Sequence, residues 1–199
     1  MLNERMARGV GPARIDLADE RRGDPADPTV LLVMGIAAQL VHWPDGFLNA
    51  LVRRGLQVLR FDNRDSGHST HLVDAPPADL AAALGGDLAS ASYTLSDMAA
   101  DAVGLLDGLQ IDAAHVVGAS LGGAIAQTMA IEHPGRVISL TSMMSSTGDM
   151  AVGQCHPATF KAVFGGPPAR TREEVIARAL DVAEVVGSPD FPSDAAAVA

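Results

Sequence analysis

An α/β fold, a mostly parallel sheet with helices on both faces, is predicted by three observations. Strand-like runs alternate with amphipathic helical segments, a rhythm that implies right-handed crossover connections. One of those runs, Val30 to Met34, is continuously apolar rather than alternating, as in a strand covered on both faces. And 199 residues with 48% apolar content can bury one sizeable core.

The elements follow in order. Val30-Leu31-Leu32-Val33-Met34, ended by Gly35, reads as a central strand. Pro44 stands at a helix N1 position, Phe47, Leu48, Leu51 and Val52 recur at helical spacing, and Gly55 stops the segment. Val58 to Phe61 is the next strand, and Thr94 opens a helix with Asp97 as its capping-box acid. Leu95, Met98, Ala102, Leu105, Leu106 and Leu109 mark the buried face of that helix. A third strand, His115 to Val117, runs through Gly118-Ala119-Ser120 into an Ala-rich helix, and Val137 to Leu140 makes a fourth strand after the Pro134-Gly135 break. Two stretches leave this rhythm. Leu72 to Ser92 is a low-complexity excursion with one short helix around Leu80 to Leu84. After Met144 the pattern loosens until Thr171 and Glu174 cap an amphipathic helix bearing Val175, Ile176, Ala179, Leu180, Ala183 and Val186 and ended by Gly187. The expected organisation is a core over residues 1–146 and the beginning of a helical cap over 147–199.

Composition narrows the function. Fourteen basic against 24 acidic residues leave a formal charge of −10, which repels phosphate backbones and anionic lipid headgroups, so neither nucleic acid nor a membrane is an expected partner. The longest apolar run, Thr29 to Val41, contains Gln39 and is short of the ~20 residues that cross a bilayer. Cys155 is the single cysteine, no signal-peptide pattern precedes Gly11, and a cytoplasmic location is expected. No His/Cys cluster has metal-ligand spacing, and no cofactor is expected. Composition leaves the oligomeric state open.

Gly118-Ala119-Ser120-Leu121-Gly122 carries the chemistry. It matches Gly-x-Ser-x-Gly between an apolar strand and a helix, the setting in which a serine is forced into strained backbone angles and its hydroxyl lifted above the sheet edge. Ser120 is therefore the candidate nucleophile, at the positive end of the following helix. A tetrahedral intermediate needs hydrogen-bond donors for its oxygen. The backbone amides of Leu121, directly after the nucleophile, and of Ile36, in the Met34-Gly35-Ile36 loop after the first strand, are the candidates.

Leu32-Val33-Met34-Gly35, Trp43-Pro44-Asp45, the run from Arg60 to Ser69 (Arg-Phe-Asp-Asn-Arg-Asp-Ser-Gly-His-Ser) and His115 to Gly123 resemble an actinobacterial branch of the α/β-hydrolases. That branch includes enzymes similar to aclacinomycin methylesterase and esterases described as lipases. The resemblance covers about Ile15 to Phe191. It implies an α/β-hydrolase fold and a Ser/His/Asp mechanism but does not fix the substrate, since one such scaffold serves many chemistries; a small, apolar ester is the expected one. It places the nucleophile at Ser120 and the oxyanion hole at Ile36 and Leu121, and makes Asp62-x-Arg64-x-x-Gly67 a structural turn.

It also implies a longer protein, with more cap, two further strands, a triad Asp and a triad His. The acid and base of such a triad follow the serine in chain order, and none of the six histidines, His42, His68, His71, His115, His133 and His156, has the required order and position. Asp149 reads as a loop aspartate and Cys155 as a cap thiol. Met143, Met144, Phe160 and Phe164 are core residues or the lining of an acyl pocket. The expectation is a truncated esterase-like serine hydrolase, inactive as this fragment. A cofactor-free haloperoxidase, a C–C hydrolase, a lactonase and a non-catalytic ligand-binding or interaction protein stay open as alternatives.

Overall fold

The computed structural model describes residues 3–77, 79, 82–83, 86–149, 151–153, 156–166, 169–188 and 190. Leu80, Leu84 and Cys155 lie outside the described residues, and with them the expected short helix and the reading of the thiol. The chain divides into two compact units, residues 1–149 and 150–199.

The first unit is built on a six-stranded sheet. Its strands are β1 (Glu4–Val10), β2 (Ile15–Arg22), β3 (Thr29–Val33), β4 (Gln57–Phe61), β5 (Ala114–Ala119) and β6 (Val137–Met143). They lie in the order β1-β2-β4-β3-β5-β6. β4, β3, β5 and β6 are parallel; β1 and β2 form an antiparallel hairpin whose second strand pairs with β4. Helices α1 (Asp45–Val52), α2 (Leu95–Gly108) and α3 (Leu121–Glu132) supply the layers. On one face Leu31, Val33, Leu59, Phe61 and Val116 pack with Met98, Leu105 and Leu106 of α2 and Ile125 and Met129 of α3. On the other, Val30, Leu32 and Val58 pack with Trp43 and with Leu48 of α1. Every residue of β3 and β4 is buried, as the apolar run of β3 predicts, and in β4 this includes Gln57 and Arg60.

The N-terminal hairpin is not among the expected strands. Four charges in a row, Asp19-Glu20-Arg21-Arg22, hide β2, yet Asp19 and Glu20 are buried. Glu20 is matched by Arg60 of β4, whose Nε donates to Glu20 Oε2 at 2.6 Å, so its charge lies inside the fold without being unpaired. Pro44 is the N-cap of α1 rather than its first residue, Leu95 is exposed instead of facing the core, and β6 runs on to Met143. The extra residues of β6 are held because Ser142 and Met143 pair with Gly118 and Ala119.

In the second unit, α4 (Pro157–Phe164) begins at His156, whose Nδ1 accepts the Ala158 N–H, and α5 (Arg172–Val186) begins at Thr171 with the capping box completed by Glu174. Arg178 Nη2 donates to the carbonyls of Val163 and Gly165, both at 3.1 Å, tying α5 to the end of α4. Among the described residues no helix is long and apolar enough to cross a membrane, and no group of three His, Cys, Asp or Glu side chains could hold a metal ion.

Candidate functional site

Ser120 stands between β5 and α3 with φ +54° and ψ −120°, a conformation that a residue with a side chain adopts only under constraint. The constraint is steric and local. A Cβ on Gly118 would lie 2.0 Å from the Gly122 carbonyl oxygen, and one on Gly122 would lie 2.1 Å from that of Val33. Only two glycines let β5, the turn and the first turn of α3 come this close to β3. The Ser120 N–H donates to the Met143 carbonyl at 2.8 Å and its own carbonyl accepts from Gly123 at 2.9 Å, so the turn is anchored on both sides. The Ser120 side chain is left exposed.

The loop after β3 reaches the same point. The Cβ position of Gly35 is 3.1 Å from Ser120 Cβ and 3.6 Å from its Oγ. Ala38 donates to the Gly35 carbonyl at 3.4 Å in a tight turn that places Ala37 at φ +55°. Among the described residues the Ile36 and Leu121 amides have no acceptor. Leu121 is the first residue of α3, where a helical N–H has no partner within the helix. An anion at Ser120 would thus find a helix N-terminus and two unengaged donors.

The turn that follows β4 braces this loop. Asp62 Oδ1 accepts the Leu40 N–H at 2.6 Å and Oδ2 accepts the His68 N–H at 3.0 Å. Asn63 Nδ2 donates to the Met34 carbonyl at 2.9 Å and Ser66 Oγ to that of Ala38 at 2.7 Å. Arg64 is buried in a two-pronged pair with Asp101 (2.6 and 2.8 Å) and lies over the Tyr93 ring. Burial works against its charge, but the hydrogen bonds and attraction of Asp101 prevail and raise the guanidinium pKa. Arg60 Nη1 donates to the carbonyls of Leu40 and Trp43, so the Glu20–Arg60 pair supports the far end of the same loop.

Around Ser120 on the β6 side the groups are neutral. Gln127 Nε2 donates to the Gly123 carbonyl, Ser142 Oγ and the Ser146 carbonyl. Met144 follows at φ +50° with 82% of its surface exposed. Among the described residues no side chain hydrogen-bonds Ser120 Oγ. The histidines engage other groups: His42 the Gln39 backbone, His71 the Gly67 carbonyl, His115 Ser139 Oγ at 2.8 Å, and His68 the Glu4 carboxylate at 2.6 Å. That carboxylate raises the His68 pKa. His133 ends α3, and His156 belongs to the second unit. Ser120, Ile36 and Leu121 therefore meet at one sheet edge. The ties of Asn63 to Met34, Ser66 to Ala38 and Gln127 to Ser142 and Ser146, absent from the sequence-based expectations, span 15 to 29 residues. Only the motif run Asp62 to Gly67 hinted at the first two.

Comparison with known proteins gives concordant findings. A family model described as the alpha/beta hydrolase fold matches residues 28–185. Rhodomycin D methylesterase DnrP of Streptomyces peucetius is 34% identical over 199 residues, which cover 91% of this chain and 62% of that protein. Rhodomycin D methylesterase DauP of Streptomyces sp. (strain C5) is 32% identical over 205 residues, covering 94% and 64%. The crystal structure of a hydrolase from Pseudomonas aeruginosa PA01 superposes with a TM-score of 0.63 at 26% identity, covering 94% of this chain and 63% of that one. The chain spans less than two thirds of the length of these relatives.

Proposed function

The chain belongs to the α/β-hydrolase family, and from that premise we propose that it is the nucleophile-bearing part of a serine-dependent carboxylic-ester hydrolase. The observation that carries this reading is the strained, exposed Ser120 at a glycine-packed strand-to-helix turn, beside two amides without acceptors. Ser120 Oγ attacks the ester carbonyl and its proton passes to a base supplied by residues outside those described. The carbonyl oxygen becomes an oxyanion held by the N–H groups of Ile36 and Leu121. Collapse expels the alcohol, which takes the proton back from that base, and leaves an acyl-Ser120, which water cleaves to the free acid with the Ser120 hydroxyl restored. Two relatives carry the name methylesterase, which supports a methyl ester of a small molecule as the substrate. Residues 147–199, with α4 and α5, are read as the beginning of a helical cap.

The test is to treat the full-length gene product with a fluorophosphonate, map the modified residue by mass spectrometry and assay a short-chain p-nitrophenyl ester. Modification is expected at Ser120, and Ser120→Ala is expected to lower ester turnover by at least about a thousand-fold. Ester turnover that survives Ser120→Ala, or a label on another residue, would contradict the serine mechanism.

A further inference from the structure

We propose that Asn63 is a positioning residue for the oxyanion donor at Ile36, an inference that rests on Ser120 being the nucleophile. Ile36 has no side-chain hold on its own amide; its N–H points where the two preceding peptide planes point it. Each plane is rigid, with C=O and N–H on opposite sides, so holding a carbonyl holds the amide of the same plane. The Met34–Gly35 plane is held at its carbonyl by Asn63 Nδ2, at 2.9 Å. The Gly35–Ile36 plane is held at its carbonyl by the Ala38 N–H, at 3.4 Å, beyond the usual 2.7–3.2 Å of a good hydrogen bond. Between them lies Gly35, whose lack of a side chain permits rotation and which packs against Ser120. The weaker tether is the one nearest Ile36, so the stronger one upstream decides the approach of the loop.

Asn63 suits this task by chemistry and position. Its amide donates, it is almost wholly buried at 6% exposure, and it sits directly after Asp62, whose carboxylate fixes the turn through backbone amides on both sides. Aspartate at 63 would set a carboxylate oxygen against the Met34 carbonyl, replacing attraction by repulsion at nearly the same volume. Serine would keep a donor with a shorter reach. Ser66, which holds the Ala38 carbonyl, is a second tether on the same loop but lies beyond Ile36. Its loss is expected to matter less.

The experiment compares Asn63→Asp, Asn63→Ser and Ser66→Ala in the full-length gene product. Three quantities are read: kcat and KM on a p-nitrophenyl ester, the rate of fluorophosphonate labelling at Ser120, and the melting temperature. A positioning role predicts that Asn63→Asp lowers kcat and the labelling rate together by about 10- to 100-fold, with KM within about twofold of wild type. Asn63→Ser should recover part of this loss, and Ser66→Ala should lose least. Labelling of Ser120 at the wild-type rate in folded Asn63→Asp would overturn the proposal and leave the serine mechanism standing, as would a rise in KM at unchanged kcat. Failure of both Asn63 variants to fold would make the residue structural and overturn it too. A wild-type protein that hydrolyses the ester without labelling at Ser120 would instead remove the serine mechanism, and this proposal with it.

Discussion

The two flanks of Ser120 are built differently. On the β3 flank the backbone approaches to within van der Waals contact, the strand is buried along its whole length, and the following loop is braced by Asp62, Asn63, Ser66 and Arg60. On the β6 flank the strand pairs only with β5 among the described residues, Ile138 and Leu140 are 56% and 40% exposed, and the neutral side chain of Gln127 ties the loop beyond it to α3. β3 is apolar apart from Thr29, whereas β6 interleaves Ser139, Thr141 and Ser142 with its apolar residues, so composition and neighbours together make β3 the buried wall. In the proposed mechanism, the flank that would hold the developing charge in a fixed direction is the braced one, as transition-state stabilisation by fixed dipoles requires.

Four substitutions or conditions can break or sharpen this contrast. The largest effect is expected from Gly122→Ala, whose new Cβ would meet the Val33 carbonyl at 2.1 Å, a backbone atom that cannot swing aside. A loss of about 3 kcal/mol or more in chemical denaturation, or no folded protein at all, is expected. Next comes a matched pair of truncations. Leu31→Ala in β3 should cost about 2–5 kcal/mol, whereas Leu140→Ala in β6 should stay within about 0.5 kcal/mol. Equal losses would show that the β6 flank is as tightly packed as the β3 flank.

The third prediction concerns acid. Burial works to raise the Glu20 carboxyl, but the Asn3 N–H and the guanidinium groups of Arg22 and Arg60 outweigh it and hold its pKa below the ordinary 4.5. A depressed carboxyl pKa contributes stability above the unfolded value, which is lost as pH falls through the folded one. The melting temperature should therefore decline as pH drops below about 4.5, and Glu20→Gln should flatten that limb of the profile. An unchanged slope would separate Glu20 from the acid response. The smallest effect is expected on the β6 flank, where Gln127→Ala should cost about 1 kcal/mol through its lost hydrogen bonds and leave the rate of Ser120 labelling nearly unaltered.

Much of the β3 flank was legible in the sequence because its signals are local. Val30 to Met34 announces a buried strand by itself, and Gly118-x-Ser120-x-Gly122 contains both the strain and its relief within five residues. Ile36 and Leu121 could be named as candidate donors from their places in the chain, and among the described residues their amides have no acceptor. What stayed hidden depends on residues far apart. β2 looks like a charged loop until Arg60, 40 residues on, neutralises Glu20. β6 runs past Leu140 because Gly118 and Ala119 pair with it. The motif from Asp62 to Gly67 was recognisable as a turn, yet nothing in it says that Asn63 reaches back 29 residues to Met34. Local periodicity finds elements; it does not find the contacts by which one loop aims another.

In the proposed mechanism the charge formed at Ser120 is received beside the loop after β3 and the start of α3. A crystal structure of the phosphonylated protein tests it most directly. A phosphonate is expected on Ser120 Oγ with its non-bridging oxygen about 2.7–3.1 Å from the Ile36 and Leu121 nitrogens and the loop after β3 unmoved. An oxygen turned towards Gln127 and Ser142, with those two amides still empty, would contradict it.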